Sequence, residues 1–319
     1  MFTLPLPIQA EQSFSSKETA DTYQFAVTVP PIDPESNSVA FLAVHTMVTS
    51  EKTGDYELQA ALDEQSSGLA LVEAFLGRGD SVLAVDLADE RPATVPTLAA
   101  YRRMDVSSQQ DWDATLAWVR EEWGRLDILC NNAGVATGGR IDVEAMADWE
   151  RVLDINLLGV VRGCQTFVPM MKEQRSGHLV NTASLAGLVH GPGMSSYNVT
   201  KAGVVALSET LSFELAPFGI SVSAVCPGFF RTNLHESFRG KDEALHEAGV
   251  KLITKAPVSA AQIAAAVLKG IERKQRIILP DRMSRAAYGL KRWARPAYNR
   301  MLTKAGQRLA KRAGSAKKL

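Results

Sequence analysis

The chain is 319 residues long and 46% hydrophobic, enough to bury one large core or two small ones, and α/β folds of this size are often a single domain. Its 35 Lys and Arg offset 35 Asp and Glu, so the whole chain lacks the basic excess that nucleic-acid binding uses. No apolar run reaches the roughly 18 residues that a membrane-spanning helix needs.

Residues 1–38 are rich in Pro, Ser, Thr and Glu without sustained periodicity, so a loose leader is expected there. No basic segment precedes an apolar one, and the protein is expected to be cytoplasmic. The main domain is expected over residues 39–280. Val39–Val44 is an apolar run of strand length and Tyr56–Leu62 a weaker one; either would serve as the first core strand. Between Gly68 and Gly79, the apolar residues Leu69, Val72, Phe75 and Leu76 and the closing glycine predict an amphipathic helix. Ser81–Asp86 follows as a short buried strand ending in an acid. Tyr101–Met104 is the next strand, ending at Asp105 and Val106, and a helix runs through Trp112, Leu116, Val119 and Trp123. Leu126–Cys130 is another buried strand and runs into Asn131–Gly134 (Asn131, Asn132, Ala133, Gly134), a small-residue turn that lets backbone approach a ligand closely. A long helix starts at Asp148, carries Asn156 and declines at Pro169. Gly177–Ser184 and Gly219–Gly228 read as strand then turn, and a helix over Ala260–Ile271 leads into a strand at Arg276–Pro280. This alternation predicts a parallel, doubly wound, Rossmann-like sheet flanked by helices, with right-handed crossovers.

Tyr197 and Lys201 stand four residues apart. On a helix that spacing places a phenol and an ammonium one turn apart, where the cation favours phenolate and draws the tyrosine below its free pKa of about 10. A tyrosine so placed suits general acid/base work, whereas a half-exposed helical pair without chemistry is the plainer reading. The strand before it ends at Ser184, at the carboxyl edge where parallel α/β sheets bind ligands, in reach of a substrate oxygen. Cys130, Cys164 and Cys226 lie far apart in apolar segments without metal-ligand spacing, which predicts buried free thiols in a reducing compartment and no metal site.

The neutral total hides an asymmetry. Residues 282–319 hold 12 Lys and Arg and no acid, which leaves 23 basic against 35 acidic residues in the preceding body. With Tyr288, Leu290, Trp293, Tyr298, Met301 and Leu302 interleaved, residues 281–319 are expected to form a basic amphipathic tail. It would lie on anionic lipid as a peripheral membrane contact, on a partner, on the acidic body itself, or stay solvated, and be separable from the chemistry.

From about Ser66 to Pro280 the chain resembles the short-chain dehydrogenase/reductase family, classical type. The resemblance rests on Asn131–Gly134, Asn156, Ser184, Tyr197-x-x-x-Lys201 and Pro227-Gly228-x-x-x-Thr232, in that order and with similar spacing. It implies Tyr197 as proton donor or acceptor, with Lys201 lowering its pKa and holding the nicotinamide ribose. Ser184 would orient the substrate oxygen and Asn156 would help to hold a relay water. For cofactor binding it implies Gly68, Asp105, Val106, Asn131, Ala133, Gly134, Tyr197, Lys201, Pro227, Gly228 and Thr232. Asp86, 18 residues beyond Gly68, stands where a ribose 2′-hydroxyl is bound, and Gln65, Ser66 and Ser67 offer no cation for a 2′-phosphate, so NAD is expected over NADP. A small-molecule substrate and a homo-oligomer also follow from the resemblance.

One stretch departs from the family. Its phosphate turn has the form Thr-Gly-x-x-x-Gly, and alignment puts Asp63 and Glu64 on the first two positions, where carboxylates repel a pyrophosphate. Thr53-Gly54 offers a displaced start only with a long insertion, and residues 1–65 being foreign to the fold is a further option. Two functions therefore stand at this stage: an NAD(P)-dependent oxidoreductase acting on a hydrophobic alcohol or ketone, or a cofactor-impaired relative that serves as a binding or scaffold protein. Leu188, Val189, Met194 and the segment Phe229–Pro257 supply the apolar wall expected for the former, and His190 is expected to be structural or solvent-facing.

Overall fold

The computed structural model describes residues 39–43, 66–232, 234 and 243–316, with backbone only for 39–43, 243–248 and 312–316. Seven strands among them are β1 (Val39–Ala43), β2 (Ser81–Asp86), β3 (Ala100–Arg103), β4 (Ile128–Asn131), β5 (Gly177–Thr182), β6 (Ile220–Val225) and β7 (Ile277–Ile278). They form one parallel sheet in the order β3-β2-β1-β4-β5-β6-β7. The order reverses at β1, which pairs with β2 on one side and β4 on the other, and a crevice opens beyond the carboxyl ends of such a pair. Of the two candidates for the first strand, Val39–Val44 takes the place; Tyr56–Leu62, Thr53-Gly54, Asp63 and Glu64 lie outside the described residues.

The helices are α1 (Ser67–Arg78), α2 (Gln109–Glu122), α3 (Met146–Leu153), α4 (Gly159–Gln174), α5 (Ser195–Glu214), α6 (Glu243–Thr254), α7 (Ala260–Glu272), α8 (Arg282–Trp293) and α9 (Arg295–Ala316). Side chains alternate across a strand, so β2 sends Val82 and Ala84 to one face and Leu83 and Val85 to the other. The first face packs under Val72 and Phe75 of α1 and Ile263 and Val267 of α7. The second packs under Trp112 of α2, Phe167 of α4 and Val204 of α5. Helix α1 starts where Ser66 Oγ accepts Leu69 N at 3.0 Å and stops at Gly79, whose φ of 90° only glycine adopts at little cost.

Two sequence expectations change. The long helix does not decline at Pro169: a π turn at Asp154–Leu158 joins α3 to α4, and α4 runs on to Gln174. Buried Phe167, Met170 and Met171 hold its final turns on the sheet, which outweighs the cost of an interior proline. The basic tail is two helices, and α8 is packed on the domain, with Ser284 fully buried and Tyr288 against the core. No helix among the described residues is long and apolar enough to cross a membrane.

Candidate active site

Helix α5 carries Tyr197 and Lys201 on one side, one turn apart. Lys201 is 3% exposed; its Nζ donates to Thr182 O at 2.8 Å and sits 5.9 Å from the Tyr197 ring centroid. The Ser184 side chain stands beside the Tyr197 phenol. Ser184 Oγ accepts Ala186 N at 3.1 Å, which leaves its proton free to donate. Burial raises the Tyr197 pKa, and the neighbouring Ser184 side chain offsets part of that rise. Burial lowers Lys201 from 10.5 to about 8. The expected depression of Tyr197 by Lys201 is thus not seen in the free chain, because desolvation outweighs an ammonium that is engaged with Thr182.

Gly187 makes this arrangement possible. The turn Leu185–Gly187 crosses α5 so closely that a Cβ at Gly187 would lie 2.4 Å from Lys201 O, so the loop after Ser184 rests directly on the helix bearing Tyr197.

Beneath the pair lies the β4 turn. Asn156, fully buried in the π turn, accepts Val135 N at 2.8 Å through Oδ1 and donates to Val135 O at 2.9 Å through Nδ2. This brings Gly134 so close that a Cβ there would lie 3.2 Å from Asn156 Oδ1 and 3.5 Å from Lys201 Nζ. Asn131 turns away and donates to Asn181 Oδ1 at 2.8 Å, joining β4 to β5. Ala133 is buried in the core. Asn132, which no separate sequence signal marks, accepts Thr182 Oγ1 at 3.1 Å and Ser67 Oγ at 3.4 Å and so links β5 to the start of α1.

A cavity of ≈ 420 Å³ joins these groups. Ser66, Ser67, Asn132, Gly134, Ser184, Tyr197, Lys201, Pro227, Gly228 and Thr232 line its polar side. Val189, Met194, Phe229, Phe230, Leu252 and Ile253 form an apolar wall. Asn131, Ala133, Asn156 and Gly68 do not line it, nor do the outlying Asp86, Asp105 and Val106. Asp86, 2% exposed at the end of β2, accepts Leu87 N at 2.6 Å. The Asp105 carboxylate accepts Ser107 N at 2.8 Å and Ser107 Oγ at 2.7 Å, and Val106 O accepts Trp112 Nε1 at 3.0 Å.

Sequence reading missed a second cluster. Glu144 Oε1 accepts Thr137 Oγ1 at 3.1 Å and the hydroxyl of Ser196, the residue before Tyr197, so it ties the β4 loop to the first turn of α5. Gly139 N donates to Gly193 O at 3.0 Å beside it. A Glu in an irregular loop has no periodicity to flag it.

These residues fit a dinucleotide. The amino end of α1 lines the cavity through Ser66 and Ser67, a glycine turn lies close to the ammonium of Lys201, and a carboxylate ends β2. The family model described as short chain dehydrogenase matches residues 64–243. The chain belongs to that family. Among relatives, it is 33% identical to the 2-(R)-hydroxypropyl-CoM dehydrogenase of Xanthobacter autotrophicus over 216 residues, covering 63% of this chain and 85% of that one. It is 34% identical over 169 residues to a 3-alpha-(or 20-beta)-hydroxysteroid dehydrogenase of Mycobacterium tuberculosis, covering 52% of this chain and 65% of the relative. A short-chain dehydrogenase/reductase from Burkholderia phymatum, solved in complex with NAD, matches with a TM-score of 0.70 at 27% identity, over 81% of this chain and 93% of that one. All three described cysteines are free and buried, and no metal-ligating cluster occurs among the described residues.

Proposed function

We propose that this short-chain dehydrogenase relative is an NAD(P)-dependent oxidoreductase that prefers NAD(H) and interconverts an apolar secondary alcohol and its ketone. The observation that carries the reading is the meeting of Ser184, Tyr197 and Lys201 on one cavity. A bound nicotinamide would supply or accept the hydride. In reduction, Tyr197 Oη gives its proton to the substrate oxygen while Ser184 Oγ donates a hydrogen bond to the same atom; in oxidation, Tyr197 takes the hydroxyl proton. Lys201, with its pKa near 8, is still charged at pH 7 and puts a cation on the cavity one turn from Tyr197. Asn156 spends both side-chain ends on Val135, so its part is to hold the Gly134 turn, and a relay water would rest on the main chain of its π turn.

Two features support the cofactor preference. Asp86 ends β2 where a 2′-phosphate would meet a carboxylate, and Arg103, its register partner on β3, is engaged with Asp111 at 2.9 Å and Asp89 at 3.8 Å. The wall of Val189, Met194, Phe229, Phe230 and Ile253 supports an apolar substrate, as does the likeness to a hydroxysteroid dehydrogenase. The scaffold reading rests on Asp63 and Glu64 alone, whereas the relatives are named as dehydrogenases. Tyr197→Phe tests the proposal. Removal of the transferable proton should cut turnover by at least about 100-fold while the melting temperature and NADH binding hold. Retention of more than about a tenth of wild-type turnover would contradict the acid/base role.

A further inference from the structure

Two loops wall part of the cavity: residues 185–194, after Ser184, and residues 227–230, after β6. Leu185 N donates to Pro227 O at 2.8 Å and ties one to the other. Both are also fastened to α8, the first helix of the carboxyl-terminal extension. At its amino end, Asp281 Oδ2 accepts Gly228 N at 2.8 Å, while Oδ1 caps the helix by accepting Ser284 N at 2.7 Å. The buried Ser284 hydroxyl donates to the same carboxylate. The contact is close: a Cβ at Gly228 would lie 2.5 Å from Met283 Cε.

Further along α8, Lys291 Nζ donates to Leu188 O and lies 3.2 Å from His190 Nδ1. His190 Nε2 is 3.2 Å from Gly187 O; a carbonyl only accepts, so Nε2 carries the proton and Nδ1 accepts from the ammonium. His190 therefore points to α8 and not into the cavity, which is lined on either side of it by Val189 and Gly191. The two anchors stand ten residues apart, about 15 Å along a helix, with Tyr288 packed on the core between them. The loop they restrain contains Gly187, Gly191 and Gly193 and has little stiffness of its own.

We infer that α8 supports the substrate site from outside it, and that Asp281, its amino-terminal cap, and Lys291 are positioning residues. Neither lines the cavity; together they fix the spacing of the two loops, and so the shape of the apolar wall that receives the alcohol or ketone. The inference rests on the oxidoreductase reading above, and it replaces the expectation that residues from 282 onward are separable from the chemistry.

The test uses the full chain, NADH and an apolar ketone that the wild type reduces, with steady-state kinetics, an NADH fluorescence titration and a thermal melt for each variant. Lys291→Met keeps the aliphatic stem and removes the donor; it should raise the ketone KM about tenfold while kcat and NADH affinity stay within about twofold, and Lys291→Arg should recover most of the loss. Asp281→Asn, which keeps a cap acceptor but not the second carboxylate oxygen facing Gly228 N, should show the same split. Unchanged KM in both variants would overturn the inference. So would a loss spread equally over kcat, KM and NADH affinity with a lowered melting temperature, the mark of a purely structural helix. A wild type that binds NADH but reduces no ketone in a broad panel would overturn the oxidoreductase reading and this inference with it, whereas active wild type with unaltered variants sinks this inference alone.

Discussion

Replacing Lys201 with Met should leave the protein inactive and about as stable at neutral pH. Burial brings the Lys201 pKa from 10.5 to about 8. At about 1.4 kcal/mol per pH unit, keeping that ammonium charged in the folded state costs on the order of 3 kcal/mol near neutrality. Methionine fills similar space without charge but gives up the bond to Thr182 O at 2.8 Å. A hydrogen bond from a charged group contributes about 1.5–3 kcal/mol, so the two effects nearly cancel and the variant should match wild-type stability within about 1 kcal/mol at pH 7. The folded pKa lies below the unfolded one, so the wild-type penalty is complete below pH 8 and fades as pH rises to 10.5. Urea denaturation of both proteins at pH 7 and near pH 10 reads the difference, and turnover at pH 7 reads the chemistry. A variant less stable than wild type at pH 7 by more than about 1 kcal/mol, or a gap independent of pH, would refute the reasoning.

Burial also lowers His178, from 6.5 to about 4; its Nε2 is 2.8 Å from Ser223 Oγ, which in turn donates to Gln275 O at 2.6 Å. Because the folded pKa is the lower one, stability should be full above pH 6.5 and fall by roughly 3 kcal/mol toward pH 4, and His178→Asn should flatten that slope in denaturation curves. Asp86→Ser should improve NADPH binding relative to NADH by about tenfold in a fluorescence titration; an unchanged ratio would remove Asp86 from cofactor selection. Gly163→Ala would set a Cβ 2.3 Å from Asn131 Oδ1 and 2.8 Å from Trp112 Cη2. Overpacking of that kind should lower stability by about 1–2 kcal/mol by thermal melt, even after the better helix propensity of alanine is counted, and neutral behaviour would show that Asn131 can move aside.

Much of the fold was legible because its signals are local. Apolar runs of strand length alternating with amphipathic helices placed six of the seven strands within a residue or two, and Gly79 marked the end of α1. Strand ends differ by a residue or two where pairing frays. Tyr197 and Lys201 were legible because their spacing matches one helical turn, and Ser184 because it ends a strand beside them. What stayed hidden depends on contacts distant in sequence. Pro169 reads as a stop until the packing of Phe167, Met170 and Met171 is known. Asn131 and Asn132 are indistinguishable on paper, and only the pleat of β4 turns one toward Asn181 and the other toward Thr182. The tail reads as a basic amphipathic extension whose resting surface stays open, because nothing local tells that Lys291 meets a carbonyl more than a hundred residues before it.

That this chain binds a nicotinamide cofactor, despite Asp63 and Glu64 at the expected phosphate turn, is tested most directly by titrating purified full-length protein with NADH and NADPH and following cofactor fluorescence. Saturable binding of NADH, and weaker binding of NADPH, is predicted from the amino end of α1, Lys201 and Asp86. No binding of either cofactor up to about millimolar concentration would contradict the account and return the chain to a scaffold or binding role.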